Sequence, residues 1–163
     1  MSRTHYGNIN LQLPDDWEDA SIITLLPPTP ESFSMLTTKG VGQQQPNLVI
    51  RRQSFSGEAP DLEAFANAQE QMMRQLTEDV KVLSRETLTL SSSGRPSVLR
   101  EFSFKAEPSY IQQLHVYFVV NQQILTACGT GAADASFGKL RASFLDLLHS
   151  IKLGDQQMVP RTV

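Results

Sequence analysis

Residues 80–131 contain four runs with strand character joined by very short connections. VKVLSRETLTL (80–90) is followed by a Ser-Ser-Ser-Gly turn; RPSVLREFSFKAE (95–107), YIQQLHVYFVVN (110–121) and QILTACGTG (123–131) come next. A parallel pair needs a crossover of a dozen or more residues, so these connections call for antiparallel hairpins. Within the second run Val98, Arg100, Phe102 and Phe104 share one parity, and Leu99, Glu101 and Ser103 the other. Because successive side chains of a strand point to opposite faces, each parity is one face of the sheet.

The flanking segments complete the outline. Ile9, Leu11 and Leu13 alternate with Asn8, Asn10 and Gln12, which reads as a half-buried strand over 8–13. Pro14 stops it. SIITLL (21–26) is a second strand, closed by Pro27-Pro28, since proline has no N–H to give a ladder. Residues 27–46 read as a loop rich in Pro, Thr, Ser, Gly and Gln, and NLVIRRQ (47–53) as a third strand. EAPDLEAFANAQEQMMRQLTED is a helix, with Asp61 as N-cap and an apolar stripe of Leu62, Phe65, Met72, Met73 and Leu76 expected to pack on a sheet. A last helix spans 134–150, with Phe137, Leu140, Phe144, Leu147, Leu148 and Ile151 inward. The expected fold class is α+β: a mainly antiparallel sheet carrying helices. A chain of 163 residues has enough core for one domain, placed at 6–153, with a flexible tail over 154–163 and a mobile N-terminus that includes His5.

Bulk properties narrow the function classes. Hydrophobic residues make up 40% of the chain and charged residues 19%, with a formal charge of −3. Those values describe a soluble globular protein without the basic stripe of a nucleic-acid or anionic-membrane surface. No signal-peptide core and no apolar run of ~18 residues is present, so a cytoplasmic protein that does not insert into membranes is expected. Cys128 is the only cysteine, which excludes an intrachain disulfide and a Cys-rich zinc site.

Catalytic signals are weak. Of His5, His115 and His149, only His115 lies mid-strand, with Cys128 on the neighbouring run, so a Cys–His contact is geometrically conceivable. Nucleophilic cysteines, however, usually sit at a helix N-terminus or in an electropositive niche, and a strand cysteine is more often a small apolar filler. GTG (129–131) lacks the remaining spacing of a dinucleotide-binding loop. Asp15, Asp16, Glu18 and Asp19 surround Trp17 without the alternation of a calcium loop; they read as a solvated turn that the indole anchors. The expectation is no enzyme, no metal and no cofactor.

Some polar residues fall where apolar ones are expected. Gln69 interrupts the helix stripe, and Gln112, Gln113 and His115 occupy an otherwise apolar strand. The plainer reading is that one sheet face is solvated. The other is a groove with apolar walls and a few amides, suited to a hydrophobic peptide whose polar atoms need partners.

The run I-x-L-Q-L-P-D-D-W-x-D-x-S-I-I from Ile9, N-L-V-I-x-R at 47–52, and G-x-A-P before a helix with a central Gln (57–69) form a recognisable order. With the hairpin series and last helix, it resembles the DcrB-like, PsbP-fold proteins. The likeness is closest to their cytosolic branch, the Eag chaperones of type VI secretion effectors. That resemblance implies a curved PsbP-like sheet and a non-enzymatic role. Such chaperones are typically homodimers that shield the N-terminal transmembrane helices of PAAR/Rhs-type effectors before loading on the secretion spike. The implied client-binding residues are Ile22, Thr24, Val49 and Gln69, with Gln113 or His115 on the sixth strand. Thr24 departs from the larger aliphatic expected there, and the 27–46 loop is longer than usual. The alternatives are a PsbP-fold protein-binding module with another partner, or an enzyme using His115 and Cys128.

Overall fold

The computed structural model describes residues 2–6, 9–13, 22–25, 46–91 and 93–151. Along the chain they form β1 (Ser2–Tyr6), β2 (Ile9–Leu13), β3 (Ile22–Leu25), β4 (Asn47–Ser54) and α1 (Leu62–Leu76). β5 (Glu78–Leu90), β6 (Arg95–Ala106), β7 (Ser109–Val120), β8 (Gln123–Ala132) and α2 (Phe137–Ser150) follow. Six strands make one sheet in the order β3-β4-β8-β7-β6-β5, and every neighbouring pair is antiparallel. The fold is α+β, a curved sheet on which two helices pack among the described residues.

The hairpin series from β5 to β8 is a meander, as the short connections require. Its first turn closes with Gly94 N–H donating to the Leu90 carbonyl at 2.8 Å, and Gly94 takes the left-handed φ of +65° that a Cβ disfavours. β4 then pairs with β8, although α1 and β5–β7 lie between them in the chain, with Asn47 opposite Thr130 through Ser54 opposite Gln123. β1 was not expected. Ser2–Tyr6 pairs with β2 in a separate two-stranded sheet, so the segment bearing His5 is strand. Its sequence, SRTHY, has no apolar alternation, and a search for hydrophobic period passes over it. The acidic turn with Trp17, the 27–46 loop as far as Gln45, and the expected tail lie outside the described residues.

One face of the sheet carries the main core. Leu99, Leu114, Val116, Phe118 and Ala127 are buried there beneath Phe137, Phe144 and Leu148 of α2. Leu147, expected inward, is 44% exposed, because the helix turns only its Phe137–Phe144–Leu148 side to the sheet. Gly129 and Gly131 explain how close α2 comes. A Cβ at Gly131 would lie 2.7 Å from Leu140 Cδ1, and one at Gly129 would collide with the Phe144 ring. The GTG of the sequence is therefore a place where helix lies on bare strand backbone.

α1 covers the opposite face, and its attachment is largely ionic. Ala66 is fully buried against Val98 and Tyr117, and Phe65 meets the Tyr117 ring edge-on at 5.5 Å. Arg85 and Arg100 stand directly opposite each other on β5 and β6. Arg85 donates Nε and Nη2 to Glu70 at 3.1 and 2.7 Å, and Arg74 adds a third bond to the same carboxylate. Arg100, only 2% exposed, donates to Glu63, to Asn67 Oδ1 at 3.2 Å and to the Leu99 carbonyl at 3.0 Å. Glu63 and Glu70 are two turns apart and so share one side of the helix. The Arg85 bonds hold the Glu70 carboxyl below its usual value against the opposing effect of burial. This ionic side sets the tilt of α1. Of the apolar stripe expected to pack on the sheet, Leu62 and Phe65 do so, whereas the C-terminal part is raised clear: Met72 is 50% and Leu76 76% exposed.

Candidate functional site

Between the raised side of α1 and the strands β7, β8 and β4 lies a cavity of about 330 Å³. Gln69, Met72, Met73 and Leu76 form its helical wall. Its floor comes from one sheet face: Gln113 and His115 of β7, then Thr126, Cys128 and Thr130 of β8, then Asn47, Val49 and Arg51 of β4. The registers place these in cross-strand rows. His115 is opposite Cys128, which is opposite Val49; Gln113 is opposite Thr130, which is opposite Asn47. Directly opposed residues project to the same side, so three strands supply one continuous surface.

Four of the residues singled out in the sequence, Val49, Gln69, Gln113 and His115, meet here. Thr24 is opposite Val49 and Ile22 opposite Arg51 in the β3–β4 ladder, which continues the same rows to the edge strand. Gln112 does not belong with them. It takes the other parity and donates to Glu101 Oε1 at 2.6 Å, on the α2 side where Arg141 also binds Glu101.

The floor's polar groups satisfy one another in a directed chain. The Gln113 carbonyl oxygen can only accept, so the His115 Nε2 2.9 Å away carries the imidazole proton. Nδ1 then accepts from the Tyr117 hydroxyl, also at 2.9 Å. The Gln113 amide nitrogen donates to Thr130 Oγ1 at 3.1 Å, and Thr130 lies 3.8 Å from Cys128 Sγ. Phe102 presses edge-on against the imidazole at 5.1 Å. Burial, assisted by the nearby Arg51 charge, lowers the His115 pKa to about 4. Burial also raises the Cys128 thiol and the Tyr117 phenol above their ordinary values. At neutral pH all three are uncharged, and the floor is a largely neutral surface with Arg51 at one end.

That arrangement bears on the Cys–His pairing. The two side chains share a face and a cavity, yet both ring nitrogens are engaged elsewhere, by Tyr117 and Gln113. The thiol stays protonated, where nucleophilic chemistry needs a thiolate. Among the described residues no group of three or more His, Cys, Asp or Glu could hold a metal ion. No described helix is long and apolar enough to cross a membrane.

Sequence reasoning missed two features of this site. Met72, Met73 and Leu76 were recognisable as an apolar stripe, but the pattern alone does not separate a core-facing stripe from one lifted over a groove. Arg51 follows Val49 by two residues in NLVIRRQ, and that spacing put it on the same face.

The DcrB family model matches residues 9–150, nearly the whole of the described fold. The chain belongs to the DcrB family. No curated protein matches this DcrB-family sequence. Among solved structures, it is similar to PA94 from Pseudomonas aeruginosa, a protein of unknown function. The TM-score is 0.72 at 17% identity, over 94% of this chain and 97% of that one. It also resembles LpqN of Mycobacterium tuberculosis, which is involved in cell envelope biogenesis, with a TM-score of 0.54 at 12% identity. Coverage there is 92% of this chain and 87% of LpqN. At such identities the likeness is one of fold.

Proposed function

We propose that this DcrB-family protein is a cytoplasmic chaperone that shields the N-terminal transmembrane helices of a type VI secretion effector of the PAAR/Rhs kind. It acts as a homodimer, without metal or cofactor and without catalysis. The observation that carries this reading is the groove itself: a largely neutral sheet floor under a wall of exposed Met72 and Leu76 and half-buried Met73. Methionine is unbranched and polarisable, and it suits a surface that must accept varied apolar side chains.

The dimensions fit helix-in-groove recognition. A membrane helix of ~20 residues is ~30 Å long and ~10 Å wide, a volume on the order of 2,000 Å³. A groove of about 330 Å³ therefore takes the side chains of one helix face and not the helix. Each Leu-sized side chain buried contributes about 1.5–3 kcal/mol, so three or four give a gross ~5–10 kcal/mol before association costs. A second copy would cover more of the same client. The Gln69 amide on the helical wall is placed to meet Ser, Thr or backbone groups, which are common at membrane-helix interfaces.

The test fuses one apolar helix of an effector N-terminus to a soluble carrier and co-expresses it with this protein. The wild type keeps the fusion in the soluble fraction and elutes with it. Val49→Asp, in the middle of the floor, abolishes capture while its thermal midpoint stays near that of the wild type. Equal capture by the wild type and Val49→Asp, or no capture by either, would sink this reading.

A further inference from the structure

Arg51 gives the groove a direction. Every other lining residue among those described is uncharged, and no carboxylate is among them. On the same sheet face the other arginines have carboxylates: Arg85 is held by Glu70 and Arg100 by Glu63. Arg51 is exposed at one end of the cavity and has no carboxylate in ion-pair reach among the described residues. Its charge is felt along the floor, where it disfavours protonation of His115 and lowers the Cys128 thiol against the effect of burial. A cation beside a neutral surface is complementary to an anion on whatever fills that surface.

The geometry also fixes where that anion sits. From Asn47 to Arg51 the floor runs four residues along β4, or ~13 Å at ~3.3 Å per residue. An α-helix covers that length in ~9 residues. Arg51 belongs to the cross-strand row of Thr126 and Tyr117, and Phe65, in the N-terminal half of α1, packs on Tyr117. The Gln113 end of the floor lies towards the C-terminal half of α1, where Met73 and Leu76 form the wall. The C-terminal end of a helix carries partial negative charge and the N-terminal end partial positive charge. A helix with its C-terminus on Arg51 therefore satisfies the cation and lies antiparallel to α1, opposing that helix's dipole as well.

We propose that the groove binds its apolar helix in one orientation, antiparallel to α1, with a carboxylate at the C-terminal end of the apolar stretch paired to Arg51. This rests on the client-binding reading above and adds the polarity and charge of the client.

The test uses three synthetic peptides built on one amphipathic helix of ~18 residues, each with blocked termini. One carries Asp at the C-terminal end of its apolar face, one Asn at that position, and one Asp at the N-terminal end instead. Dissociation constants are measured by fluorescence anisotropy against the intact protein and against Arg51→Gln, an exposed position whose change leaves the fold in place. The expected result for the wild type is that the C-terminal Asp peptide binds about two- to five-fold more tightly than its Asn counterpart, the range of an exposed ion pair. That advantage disappears in Arg51→Gln and shrinks in ~1 M salt, where the Debye length is ~3 Å. N-terminal Asp gives no tightening. Equal binding of the three peptides, or an advantage that survives Arg51→Gln, overturns this inference and leaves the groove reading standing. Failure of all three to bind overturns both.

Discussion

Replacing Glu63 by Ala tests whether charge holds α1 in place. Arg100 is almost fully buried and keeps Nε without a hydrogen-bond partner among the described residues. Removing Glu63 leaves its guanidinium with only the Leu99 carbonyl and Asn67. Breaking one side of a buried ion pair typically costs about 3–5 kcal/mol. The Glu63 side chain is 49% exposed, so water enters to replace part of the loss, and ~2 kcal/mol is the expected cost. Part of that, about 0.3–1 kcal/mol, reflects loss of an acidic residue from the first turn of α1. A double-mutant cycle with Arg100→Met removes this contribution, since it appears in both Glu63 variants. Urea unfolding followed by circular dichroism should then give a coupling of about 1–2 kcal/mol, with the double variant more stable than the sum of the single losses implies. Native-state hydrogen exchange should show α1 amides exchanging faster in Glu63→Ala while β6–β8 amides keep their protection. A loss under ~0.5 kcal/mol, or unchanged exchange in α1, would show that the helix is held by its apolar contacts alone.

Two further outcomes are expected. His115 is depressed to about 4 in the folded state against ~6.5 unfolded, so the folded protein binds fewer protons between those values. Stability is therefore complete above pH 6.5, falls as pH drops through this window and levels near pH 4, a loss of up to about 3 kcal/mol; His115→Gln should flatten that slope in urea titrations at stepped pH. Gly129→Ala forces a Cβ into the Phe144 ring and should cost about 1–3 kcal/mol in thermal or urea unfolding, whereas an unchanged midpoint would mean that α2 yields freely.

The meander was legible because its connections were too short for any other topology. Parity within 98–104 correctly separated the face carrying Val98, Arg100 and Phe102 from the face carrying Leu99 and Glu101. The polar residues at inward positions were noticed in the sequence, but their resolution lies across strands. Gln113 is explained by His115 on its own strand and Thr130 on the next, a pairing that only the register reveals. The stripe on α1 packs on the sheet through Leu62 and Phe65 as expected, and its Met72–Leu76 end departs from that expectation for a related reason. Periodicity finds an apolar side, whereas the tilt of the helix is set by Glu63 and Glu70 reaching arginines of β5 and β6. No sequence pattern distinguishes those carboxylates from other charges on the helix. β1 escaped because SRTHY has no apolar alternation of its own, although its partner β2 has one.

β8 is a partition one strand thick. On one side it offers Ala127, Gly129 and Gly131 to α2; on the other, Thr126, Cys128 and Thr130 to the groove. Where glycines stand, Phe144 and Leu140 rest on the main chain, with no side chain between to absorb a shift. The height of the groove floor is thus adjusted from behind, by residues that never touch an occupant. If the groove takes a client as proposed, a genetic selection for altered client range would yield changes at Phe144 and Leu140 as well as at Val49 and Met72. A comparison confined to the groove lining would overlook the residues behind it.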